Sequence, residues 1–241
     1  MISLVRAGVL LTLVLATAQH ARAADQVIGL LSLPEVFGNG ACDKFTPAQV
    51  PLYSSPDAGR VVGTIRVNRH WTFHLLGGCE GLKVSVHREG SGQLSELPTR
   101  EYEYEVPAAI VLQQRAPWFR VRLHDGTAWL RASKLDRFFP LRRLLTDGLT
   151  YLTEEWDGRL AASPGSIRRA ARRGILHADR QVTAARVAGF RLVGHQLWVD
   201  VEVLSESRCT SADEPKVVAR GWLPAHASSG EPAVWFSSRG C

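Results

Sequence analysis

Cysteines, adjacent carboxylates, closely spaced histidines and one dense arginine cluster are the residues of this chain that could do chemistry. A cysteine nucleophile must be a free thiol held beside a histidine base. A structural zinc site draws its ligands from close pairs such as C-x-x-C, and no such pair is present. The four cysteines, Cys42, Cys79, Cys209 and Cys241, are an even set. In an oxidising compartment an even set reads as two disulfides. Three connectivities are open, and the two-and-two split along the chain favours Cys42–Cys79 with Cys209–Cys241. Each bond would be worth about 3–4 kcal/mol in the chain-entropy model. Glu154 and Glu155 are neighbours. On a strand they face opposite sides and cannot flank one bond. His70 and His74 have a spacing that binds metal only from a helix, and Trp71-Thr72-Phe73 between them favours a strand. No H-E-x-x-H, G-x-S-x-G or phosphate-loop pattern occurs. The expectation is a protein that is not an enzyme, with no cofactor, no metal site and no catalytic residue.

Binding is the remaining chemistry. Arg168, Arg169, Arg172 and Arg173 would stack like charges on one side of a helix started by Ser166, and an anionic partner would relieve them. A solvated basic loop is the plainer reading. Among the seven Trp, Trp129 and Trp222 are expected in the core. Tyr53, Trp71 and Trp118 lie on different strands beside turn signals and are the candidate floor of a ligand groove. Tyr53→Ala or Trp71→Ala should then weaken partner binding without unfolding the protein.

The elements that must position these residues come after a leader. Arg6 precedes the apolar run Ala7–Ala18, and Ala21-Arg22-Ala23 suits a signal peptidase, so residues 1–23 read as a signal peptide cut before Ala24. The apolar stretch is short for a membrane anchor. A periplasmic or secreted protein is expected, with no integral membrane segment after cleavage. Losing Arg6 and Arg22 lowers the formal charge from +6 to +4. The excess of Arg over Lys reads as codon usage rather than a nucleic-acid signature, and no nucleic-acid partner is expected.

The mature chain patterns as β structure. Trp118-Phe119-Arg120-Val121-Arg122-Leu123, then Gly126-Thr127-Ala128-Trp129-Leu130, reads as a hairpin. Trp198–Val203 with Gly221-Trp222-Leu223 echoes it, and Pro51–Pro56 is echoed by Arg159–Pro164 in the same order. Two copies of one small β module in tandem follow. Val27–Leu33, Val61–Ile65, Trp71–Leu76 and Ala233–Phe236 are further strands, and Val187–Val193 with Leu197–Leu204 a further hairpin. Leu82–Val86 and Tyr102–Val106 alternate with period two, so that Lys83 and His87 lie across from a Glu face, with Gly90-Ser91-Gly92 at the tip. Ala132–Pro140 reads as a closing helical turn. Trp156–Arg159 reads as a hairpin turn joining Tyr151–Glu155 to Leu160–Ala162.

The order L-Y-x-x-P, V-V-G-T, W-F-x-V, G-x-x-W-L and a closing turn resembles a bacterial SH3-like (SH3b) domain over Pro51–Pro140, outside the Leu82–Val106 insertion. Leu160–Cys241 resembles it more loosely, without V-V-G-T. The resemblance implies a mainly β fold of two small barrels. Its divisions are an N-terminal segment at 24–45, a first module at 46–140, a connecting hairpin at 141–158 and a divergent second module at 159–241. It also implies a binding or scaffolding role in the cell envelope, toward a protein partner or peptidoglycan. The alternatives are a regulatory or inhibitory partner of an envelope enzyme, or a cell-wall hydrolase.

Overall fold

The computed structural model describes residues 25–33, 49–57, 59–69, 82–92, 94–104, 106–132, 137–146, 148–170, 183–209 and 213–239. Residues 1–23, read as a signal peptide, and Cys42, Cys79, Cys241, His70, Trp71, His74, Arg172 and Arg173 lie outside these residues. The protein is mainly β, built of curled antiparallel sheets.

The first sheet is made of β1 (Gly29–Leu31), β2 (Gln49–Tyr53), β3 (Val61–Arg69), β4 (Leu82–Arg88), β5 (Leu94–Glu96), β6 (Thr99–Glu103), β7 (Val106–Arg115), β8 (Trp118–Leu123), β9 (Gly126–Arg131) and β10 (Phe138–Pro140). Its order is β10-β1-β7-β8-β9-β2-β3-β4-β5, and β6 pairs with β7. Helix α1 (Leu141–Thr146) leads to the second sheet. That sheet holds β11 (Thr150–Leu152), β12 (Arg159–Ala161), β13 (Arg168–Ala170), β14 (Thr183–Val193), β15 (Gln196–Leu204), β16 (Val217–Pro224) and β17 (Val234–Phe236). Its order is β17-β11-β14-β15-β16-β12-β13.

The two orders are the same once β4, β5 and β6 are set aside. The correspondence extends to register. Phe119 pairs with Leu130, Arg120 with Trp129 and Val121 with Ala128. In the second sheet Val199 pairs with Leu223, Asp200 with Trp222 and Val201 with Gly221. Tyr53 then pairs with Trp129, as Ala161 pairs with Trp222. Echoed residues occupy equivalent places.

The insertion has work of its own. Strand β4 pairs with β3 and β5, and β6 pairs with β7, so the expected pairing of Leu82–Val86 with Tyr102–Val106 does not form. Strand β6 instead reaches the second sheet. Arg100 meets Glu231 at 3.3 Å and covers the Trp235 ring at 4.6 Å. Arg239 donates two hydrogen bonds to Glu101, at 2.8 and 3.1 Å.

Burial on both faces explains the apolar run Ala108–Leu112. Ala109 and Val111 join Leu31, Leu52, Ile65, Phe119, Val121 and Leu130 in the core of the first sheet. Ala108, Ile110 and Leu112 point the other way, with Leu30, into a core shared with Leu145, Leu152, Trp156, Val199, Val201, Leu223 and Trp235. Fully burying one such leucine or isoleucine is worth roughly 1.5–3 kcal/mol. The two sheets are therefore joined by hydrophobic packing and not by a linker alone.

Three local expectations are corrected. Ser166–Arg173 is not a helix as far as it is described: Arg168–Ala170 is strand β13, paired with β12. Pro164-Gly165 forms the turn between them, closed by the Ser166 N–H to the Ser163 carbonyl at 3.1 Å, with Gly165 at φ 81°. Proline presets the first central position of such a turn and glycine supplies the positive φ of the second. Tyr151–Glu155 and Leu160–Ala162 do not form a hairpin, because β11 pairs with β14 and β17 while β12 pairs with β13 and β16. Of the closing turn expected over Ala132–Pro140, Phe138–Pro140 is a strand on β1, Arg137 is in a 3-10 turn, and residues 133–136 lie outside the described residues.

Candidate functional site

Strand β8 alternates strictly. Phe119, Val121 and Leu123 are buried, and Trp118, Arg120 and Arg122 face outward, half-buried. Directly paired residues share a face of an antiparallel sheet. Trp118 is thus flanked by Arg115 on β7 and Arg131 on β9, its register partners on either side. Arg120 is paired with Trp129, and Trp129 with Tyr53.

These pairings make an aromatic strip edged by arginines. Tyr53 and Trp118 meet edge to face, with ring centroids 5.1 Å apart. Trp129 is buried, and the Arg115 guanidinium lies 6.0 Å from its ring. Arg120 is neutralised by Asp25, and Arg122 by Glu231 at 2.5 Å. Arg115 and Arg131 are exposed and make no ion pair among the described residues. Two unpaired cations around a half-exposed Trp–Tyr pair can stack a planar group and bind carboxylates.

The sequence named Tyr53 and Trp118, and the structure brings them together; Trp71 lies outside the described residues. It did not name Arg115 and Arg131. Their signal was available: folding the strand pair about His124-Asp125 sets Arg131 opposite Trp118. Trp129 is buried as expected, but Trp222 is only half-buried, because its partner on β12 is the small Ala161 rather than a tyrosine.

The arginine cluster takes another place. Arg168 bonds Asp157 at 2.8 Å and lines a cleft of about 470 Å³ with Glu155, Gln26, Gln196 and His226. Arg169 is exposed on β13 and makes no ion pair among the described residues. Glu154 and Glu155 sit in a turn rather than on a strand edge, and Glu155 accepts a hydrogen bond from the Ser229 hydroxyl at 2.9 Å. His226 is buried and lines the cleft, its Nε2 2.7 Å from the Val27 carbonyl oxygen. Burial holds its pKa below the ordinary histidine value, against the opposing pull of that carbonyl and of Glu231.

Cys209 carries no free thiol, and the other cysteines lie outside the described residues. Among the described residues no three His, Cys, Asp or Glu side chains gather as metal ligands, and no helix is long and apolar enough to cross a membrane. No protein family, curated protein or solved structure matches this chain.

Proposed function

We propose that this chain is an exported, non-enzymatic binding protein of the bacterial cell envelope, made of two SH3-like units. It holds an extended peptide, of peptidoglycan or of a protein partner, on the Tyr53–Trp118 strip. The observation that carries the reading is the strip itself: an edge-to-face Trp–Tyr pair flanked in register by exposed Arg115 and Arg131. Aromatic anchors supply much of the energy at such surfaces. The arginines favour a ligand bearing carboxylates. A small β unit filled by its own side chains offers a surface groove rather than a deep pocket, which suits an extended chain. The reading includes export by the 1–23 leader and the disulfides Cys42–Cys79 and Cys209–Cys241.

The test is co-sedimentation of the mature chain with purified peptidoglycan sacculi, beside a pull-down from periplasmic extract. Tyr53→Ala, Trp118→Ala and Arg131→Ala should each weaken whichever association is found, with circular dichroism unchanged. Wild-type binding that all three variants retain moves the ligand off this strip. Turnover of muropeptides by the purified chain defeats the non-enzymatic reading.

A further inference from the structure

The end of the second sheet carries a feature that peptide binding does not use. Ile167, Leu192 and Val193 are 87%, 67% and 41% exposed. Single exposed aliphatic residues are ordinary, but several together mark an interaction surface. They lie on two adjoining ends of the sheet. A Cβ placed on Gly165 would lie 3.9 Å from Val193 Cγ1, so the β12–β13 turn abuts the end of β14. Gln196, the register partner of Val193, lines the same cleft as Arg168, the neighbour of Ile167.

Cations stand near the aliphatic residues along the chain. Arg169 and Arg191 are exposed and make no ion pair among the described residues. The acids close by are already engaged: Asp157 holds Arg168, and Glu155 accepts from Ser229. The β12–β13 turn lies beside the end of β14, where Leu192 and Val193 put an aliphatic side chain on each face of the hairpin end. A protein partner would need a matching socket, whereas a bilayer yields around such an end.

We propose that this end of the second sheet docks on an anionic lipid bilayer. Ile167, Leu192 and Val193 enter the boundary between headgroups and acyl chains. Arg169 and Arg191 remain at headgroup level and pair with lipid phosphates, their stems lying along the apolar layer. The inference goes beyond the peptide reading and does not depend on it.

The experiment is sedimentation of the mature chain with vesicles of phosphatidylglycerol and phosphatidylethanolamine, and with vesicles of phosphatidylcholine alone. The chain should pellet with the anionic vesicles, less at high salt, and stay in solution with phosphatidylcholine. Leu192→Ser combined with Ile167→Ser should weaken the association about tenfold or more. Arg169→Gln and Arg191→Gln should each weaken it about fivefold. Tyr104→Ser, at an exposed aromatic elsewhere (59% exposed), is the control and should change nothing. All these side chains are exposed, so the thermal midpoint should not move. Absence of binding to the anionic vesicles overturns the proposal. So does equal binding to phosphatidylcholine, or binding that the paired Ser variant leaves intact.

Discussion

The two echoed strands, Trp118–Leu123 and Trp198–Val203, take the same place in their sheets and carry opposite charge. Inward, both present apolar side chains: Phe119, Val121 and Leu123 against Val199, Val201 and Val203. Outward, one presents Trp118, Arg120 and Arg122, the other Trp198, Asp200 and Glu202. The core positions are held alike by packing, and the solvent face is where the copies differ. In the second copy the Glu202 charge is satisfied at home. Glu202 sits between Arg186 and Arg220, its register partners on β14 and β16, with contacts of 2.6 and 2.9 Å. In the first copy the acid partners come from elsewhere: Asp25 precedes the sheet, and Glu231 lies in the loop between β16 and β17. The surplus there leaves Arg115 and Arg131 uncovered beside Trp118. Trp198, by contrast, is buried, opposite Pro224. One copy keeps exposed cations beside its aromatic pair, and the other pairs Glu202 with arginines of its own sheet.

The largest effect should come from separating the copies. A chain ending at Pro140 exposes Leu30, Ile110 and Leu112, which the second sheet buries. It should be insoluble or lack a cooperative melt, and the full chain should unfold in one transition by calorimetry. Ile110→Asp in the full chain should cost several kcal/mol, because a carboxylate enters the shared core. Two separate transitions, or a well-folded first half, would show independent modules and remove the shared core from the comparison.

Next come the differently placed ion pairs. Glu231→Gln weakens contacts with Arg100 and Arg122 at once and loosens one sheet from the other. Glu202→Gln weakens contacts with Arg186 and Arg220 inside one sheet. Each should cost about 1–3 kcal/mol in urea unfolding, since hydrogen bonds to a charged group are lost. The two should differ in kind. Limited proteolysis should release halves more readily from Glu231→Gln than from Glu202→Gln. Equal fragmentation would mean that Glu231 does not help join the sheets.

A charge exchange on the strip tests the functional side. Arg131→Glu should lower affinity for the ligand found on sacculi or in extract by about tenfold. An outward change in the other copy, Asp200→Asn at the position that corresponds to Arg120, should leave that affinity alone. Asp200→Asn should also raise stability slightly at neutral pH. Burial, then the neighbouring Glu202 charge, hold that carboxyl above the usual carboxylate range, so its ionised form is disfavoured by folding.

Much of this comparison was legible in the chain itself. Alternation marks β8 and β15 as one-sided strands, and the turns at His124-Asp125 and Gly194-His195 fix their neighbours. The echo of Leu52-Tyr53 in Leu160-Ala161 carries the strand that completes each copy. What escaped was long-range. Thr150–Leu152 pairs with Val234–Phe236 across more than eighty residues, and three-residue strands have no period to read. Arg168–Ala170 passed for helix because its charge spacing suits one, while the Pro164-Gly165 turn and the open edge of β12 decided otherwise. The face shared by Tyr53 and Trp118 needed the register of three strands. No local pattern marks His226, whose environment is assembled from Val27 and Glu231.

The smallest expected effect concerns that histidine, which ties the segment before β1 to the loop after β16. Its folded pKa lies below the unfolded reference of 6.5, chiefly because burial penalises the charged ring. The unfolded chain therefore binds the proton more readily than the folded one. Stability from this group is fully present above pH 6.5, and it declines as pH falls from there through the folded pKa. His226→Gln keeps a donor for the Val27 carbonyl and removes the titration. The variant should be somewhat less stable at neutral pH, because an imidazole fitted to its site is replaced. Its midpoint should then fall less than that of the wild type between pH 7.5 and 5.5. Carboxylates contribute to both proteins, so the difference between the two slopes isolates the ring. Parallel slopes would mean that His226 takes up its proton equally well folded and unfolded, and that the clasp between the two sheets is insensitive to pH.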